Sequence, residues 1–81
     1  MEYDEIWAIS IPQIENFFKQ NPCIRYDGSK YWYKNCAIKI EKLAEKGILQ
    51  IPQTRVVMLG QDNDTNEIHE KFFLNFLSAG G

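Results

Sequence analysis

Residues 23–34, CIRYDGSKYWYK, constrain the fold more tightly than any other stretch. Asp27-Gly28 tolerate the positive φ angles of a tight reversal, and the segments on either side are rich in β-formers, so the stretch predicts a β-hairpin. Any register that pairs residues of opposite number parity around this turn sorts the side chains the same way, because neighbours along a strand point to opposite faces. Ile24, Tyr26, Tyr31 and Tyr33 then share one face, apolar enough to rest on helices. Arg25, Lys30, Trp32 and Lys34 share the other, together with Cys23, which sets one indole among three cations. These four residues are the first candidate partner-binding surface. The competing reading is structural, an indole covered by the methylene stems of its cationic neighbours with some cation–π attraction.

The rest of the chain supplies elements for the hairpin to pack against. SIPQIENFFKQNP reads as a helix with Ser10 as N-cap, Gln13 three residues on, Pro12 in the first turn and Pro22 as the stop. Ile11, Ile14, Phe17 and Phe18 fall on one stripe, as a helix lying on a sheet requires. EIWAI, just before it, is too short for periodicity to decide between strand and helix and is read as a buried strand; a helix there would leave a three-stranded sheet with helices around it. Residues 35–46 predict a second helix, with Cys36, Ala37, Ile40, Leu43 and Ala44 on its apolar stripe, Lys39, Lys42 and Lys46 on its solvated face, and Gly47 closing it. ILQIPQ reads as a connector or edge strand interrupted by Pro52, and TRVVML as a strand buried on both faces and bounded by Gly60.

DTNEIHEKFFLNFLSAGG predicts the last helix, with Asp64 and Glu67 as a capping box and Gly80-Gly81 as the stop. A terminal diglycine resembles the tail of ubiquitin-like modifiers, but in these two residues alone and after a helix rather than a strand. The apolar arc of Ile68, His69, Phe72, Phe73, Phe76 and Leu77 is wide and aromatic. It must cover the Trp32 face of the sheet or meet a partner chain, and Phe73 and Leu74 form the second candidate surface.

The element order predicts a small two-layer α+β domain, residues 1–81, in the βαββαβ (ferredoxin-like, split βαβ) order with an added C-terminal helix. A chain of 81 residues buries only about 60% of its unfolded surface, which leaves a thin margin. Its 14% aromatic and 44% hydrophobic content offsets this, since each aromatic ring buries a large area.

Charge and motifs narrow the function. The net charge of −2 gives no bulk attraction to nucleic acid or anionic lipid, yet the charge is segregated along the chain. Residues 1–18 carry Glu2, Asp4, Glu5 and Glu15 and no base, whereas residues 19–46 carry seven Lys or Arg against three acids. Two cysteines and one histidine do not make a zinc site, DNDTNE lacks the glycine and twelfth-position acid of an EF-hand, and no phosphate-binding loop occurs. His69 lies inside an apolar arc, where a packed imidazole is the simpler reading, and neither Cys23 nor Cys36 has a local catalytic signature. Without an export signal or spanning segment, the expected location is the cytoplasm, with both thiols reduced. The expectation is a non-enzymatic protein-binding module, an adaptor, inhibitor or homo-oligomerising domain, with no cofactor or metal. The alternative is single-stranded nucleic-acid or RNA binding through the basic aromatic hairpin 23–34.

Overall fold

The hairpin forms, in one of the registers that pair residues of opposite parity, with β2 (Ile24–Tyr26) antiparallel to β3 (Tyr31–Tyr33) and Ile24 opposite Tyr33, Arg25 opposite Trp32, and Tyr26 opposite Tyr31. It belongs to a computed structural model that describes residues 1–43 and 52–79. The other elements are β1 (Glu2–Trp7), α1 (Ile11–Lys19), β4 (Cys36–Leu43), β5 (Gln53–Gly60) and α2 (Asp62–Ala79). All five strands join one sheet in the order β1-β5-β4-β3-β2, and every neighbouring pair is antiparallel. Strands β2 to β5 form a meander, and α1 carries the chain from β1 at one edge to β2 at the other.

Helix α1 forms where its caps and stripe place it. The Ser10 N–H and hydroxyl both donate to Gln13 Oε1, at 2.9 and 3.0 Å. The Asn21 side-chain amide donates to the Phe17 carbonyl at 2.8 Å, closing the far end. Ile14, Phe17 and Phe18 are buried against Tyr33, Cys36, Ile38, Val56 and Met58 of the sheet and Ile68, Phe72 and Phe76 of α2. Aromatic edges hold this core: Trp7 and Phe17 both meet Phe72 nearly at right angles, with ring centroids 5.1 and 5.6 Å away. Such contacts add to area burial because ring edges are positive and ring faces negative.

Several expectations are corrected. Residues 36–43 form a strand rather than a helix, so the order is βαββββα and the ferredoxin-like order is not adopted. Cys36 and Ile38 are buried while Ala37, Lys39 and Glu41 turn the other way, a two-residue repeat embedded in what reads as a helical stripe. Pairing with β5 along the whole length of β4 decides the competition. The reversal before it uses Lys34 at φ 52°, a left-handed conformation costly for a non-glycine residue. Helix α2 holds that turn: Lys34 Nζ pairs with Glu67 at 3.0 Å, and the Asn35 N–H donates to Asp64 at 3.2 Å.

Strand β5 is buried on one face only, through Thr54, Val56 and Met58, while Arg55 and Leu59 are exposed and Val57 is half-buried. Strand β1 likewise alternates rather than being buried throughout. Helix α2 starts at Asp62, so Asp64 and Glu67 lie inside it and bind the β3–β4 turn instead of capping it. Finally, α2 packs on the same side of the sheet as α1, against Tyr33 and not Trp32. Residues 44, 46 and 47, most of ILQIPQ and Gly80-Gly81 lie outside the described residues. Among the described residues, no helix is long and apolar enough to cross a membrane.

Candidate functional site

With both helices on one side, the other face of the sheet is left bare among the described residues. Alternation along each strand fixes its residents: Glu2, Asp4 and Ile6 from β1; Arg55, Val57 and Leu59 from β5; Ala37, Lys39 and Glu41 from β4; Trp32 from β3; and Arg25 from β2. The registers place Leu59 beside Ala37 and Ala37 beside Trp32, a continuous apolar row across three strands. Ile6 is 62% exposed and Leu59 54% exposed. Arg55 lies across the middle of the face. Its Nε and Nη2 donate to the two Asp4 carboxylate oxygens at 2.8 and 2.6 Å, and its Nη1 lies 3.6 Å from Glu41. The guanidinium holds the Asp4 carboxyl below its ordinary range, and the Arg55 pKa rises in return.

Trp32 sits at the basic end of this face, and its indole is already engaged. Its Nε1–H donates to Asp27 Oδ2 at 2.7 Å, while Lys30 Nζ lies 5.1 Å from the ring centroid. The second Asp27 oxygen accepts the N–H groups of Ser29 and Lys30, so the turn and the indole are clasped by one carboxylate. Those donors stabilise the charged form and lower the Asp27 pKa to about 2, the Lys30 N–H contributing most. A depressed folded-state pKa means the clasp contributes fully above the ordinary carboxylate range and is lost as pH falls through about 2. In Trp7→Phe protein the Trp32 emission is therefore expected to hold its neutral-pH position through pH ~4 and to shift only nearer pH 2. A transition centred on an ordinary aspartate pKa would show that the clasp is not made.

The sequence-based site residues are only partly brought together. Arg25, Lys30 and Trp32 share the bare face as expected. Lys34 does not: its positive φ swings it to the helix side, where Glu67 raises its pKa and Tyr33 lies under its ammonium at 5.3 Å. Tyr33 also donates to Glu67, and these hydrogen bonds lower the Glu67 pKa. Phe73 and Leu74 lie on α2, on the opposite side of the sheet, 41% and 54% exposed. Phe73 packs edge-on against Trp7 at 5.9 Å. Ile6, Ala37, Arg55, Val57 and Leu59 were missed, because TRVVML reads as buried on both faces and 35–46 as a helix. The alternation of Lys39 and Glu41 with Ile38 and Ile40, and the arginine inside TRVVML, were the signals available.

His69 is packed as its arc implies. Its ring stacks on Tyr3 at 3.7 Å and 8°, and its Nε2 lies 2.7 Å from Glu5 Oε1. Cys36 is buried, which pushes its thiol pKa up, and Cys23 is exposed; neither is bonded to the imidazole. A groove of about 870 Å³ runs where the hairpin tip and α1 meet β4 beyond its pairing with β3. Glu15 accepts from the Tyr31 hydroxyl there at 3.3 Å, and burial with this carboxylate raises the Tyr31 pKa. Among the described residues, no group of three or more His, Cys, Asp or Glu is placed to hold a metal ion. Compared with known proteins, the chain matches no family model, no curated protein and no solved structure.

Proposed function

We propose that this chain is a non-enzymatic protein-binding domain that works through the bare face of its sheet. One observation carries the reading: the apolar row Leu59–Ala37–Trp32 is continuous, no described element covers it, and Val57 extends it along β5. Single exposed apolar residues are ordinary on a protein surface, and antiparallel sheets often leave one face to water. Contiguity is what distinguishes this face, because a joined apolar row in water favours association. The domain is proposed to act in the cytoplasm, where exposed Cys23 stays a free thiol.

Nucleic-acid binding is the weaker reading. Stacking platforms present free aromatic faces beside unpaired cations. Here Lys30 lies over Trp32, Lys34 is paired with Glu67, and the face also holds Glu2, Asp4 and Glu41. The hairpin and β1 lie at opposite edges of the sheet rather than side by side.

The test is a photo-crosslinking residue at position 59, with position 20 on the helix side as control. Discrete protein adducts are expected from position 59 and not from position 20, and single-stranded nucleic acid should neither compete nor quench Trp32 fluorescence. Absence of adducts at position 59, or salt-sensitive quenching by nucleic acid, would refute the proposal.

A further inference from the structure

We infer that the bare sheet face binds a second copy of this chain, face to face, about a two-fold axis parallel to the strands; this rests on reading that face as a binding surface. The fold converts the segregated charge of the sequence into a polar gradient across one plane. Among the described residues, the β1 margin of the face carries Glu2, unpaired by any base of its own strand, and Asp4, already paired with Arg55 of β5, while the β2–β3 margin carries Arg25 and Lys30. Asp27, the one acid near that second margin, is occupied by Trp32 and the turn N–H groups.

A face with one acidic and one basic margin is complementary to itself when turned about an axis along the strands. That operation lays each β1 over the partner's hairpin, whereas an axis across the strands would lay β1 on β1 and oppose like charges. The register extends the match inward, because a two-fold along the strands keeps each residue at its own height. Placing the axis along β4, the central strand, lays β1 over the partner's β2 and β5 over its β3, so that Glu2 meets Arg25 and Leu59 meets Trp32 across Ala37, since these five residues sit at one level across the sheet. Aligned sheets of this kind pack about 10 Å apart with a rotation of about 30°.

The size of the face sets the strength. Strands spaced about 4.8 Å apart and residues about 3.3 Å apart give a plane of about 24 by 20 Å, and a dimer that removes on the order of 1,000 Å² in total. That is the lower end of specific interfaces, so the dimer is reversible and micromolar rather than obligate.

Sedimentation over about 1–500 µM is expected to show monomer and dimer in exchange. Leu59→Arg, on the exposed apolar row, should weaken the dimer at least about 10-fold. Arg25→Glu alone and Glu2→Lys alone should each weaken it by about 10-fold, and an equimolar mixture of the two should associate like the unaltered chain, because each reversed charge then meets the other. All three positions are exposed, and circular dichroism checks that the fold is kept. A monomer throughout the range, a dimer indifferent to all three changes, or a mixture that fails to recover overturns the inference. A monomer that still yields an adduct to another protein from position 59 removes the second copy and leaves the binding surface standing. Loss of that adduct as well removes both.

Discussion

Phe72→Ala is expected to lose about 3–5 kcal/mol of stability and to leave the domain only marginally stable at 25 °C. Phe72 is fully buried and meets Trp7, Phe17 and Phe76 at ring-centroid distances of 5.1, 5.6 and 4.7 Å. It therefore joins β1, α1 and α2 at one point. Domains of this size hold on the order of 5 kcal/mol in all, so one such loss consumes most of the margin. Urea unfolding followed by far-ultraviolet circular dichroism measures it directly. Phe73→Ala, one residue on but half in water, is the control and should cost under about 1.5 kcal/mol. Similar midpoints for the two variants would contradict the packing of α2 on α1.

Gly60→Ala should cost about 2–3 kcal/mol, more than a methyl group ordinarily does. A Cβ built at Gly60 would fall 2.2 Å from the Asn35 carbonyl oxygen and 2.7 Å from Cys36 Cα. Both are backbone atoms, so no side chain can swing aside to relieve them. The backbone that would have to move is the Lys34-Asn35 turn, which Asp64 and Glu67 anchor to α2. Gly28 makes an informative contrast, since a Cβ there meets nothing within 4 Å and the strain comes only from its φ of +95°. Gly28→Ala should cost about 1 kcal/mol. Thermal melts that rank Gly28→Ala as the more damaging of the two would show that the close approach at Gly60 is not real.

The sequence was most readable where local chemistry and burial agreed. Ser10, Gln13, Pro12 and the Ile14–Phe18 stripe all favour one helix, and Asp27-Gly28 with its flanking tyrosines favours one hairpin, so neither depended on distant partners. Residues 36–43 were ambiguous: Cys36, Ala37, Ile40 and Leu43 suit a helix, while Cys36, Ile38 and Ile40 suit a strand. The deciding interaction is the ladder to β5, whose partners lie from 10 (Leu43 to Gln53) to 24 (Cys36 to Gly60) residues further on, which no local signal carries. That one misreading also hid the bare face. With 36–43 counted as a helix, TRVVML appeared sandwiched and Leu59 appeared buried, so the candidate surface on the sheet shrank to the hairpin, with Phe73 and Leu74 of the last helix as the second. Lys34 was misplaced for a smaller reason, a positive φ at a lysine, which sequence seldom announces.

The path of α1 from one edge of the sheet to the other has a kinetic consequence. Strands β2 to β5 pair with their neighbours in chain order, but β1 pairs with β5, and Asp4 and Arg55 lie 51 residues apart. Contacts of such long sequence separation slow folding, because closing a large loop must precede any gain from the contact. A chain emerging amino-terminus first therefore makes its earliest strand long before that strand has anywhere to go. The meander can assemble through successive hairpins while β1 waits, so β1 is expected to be the last strand of the sheet to dock.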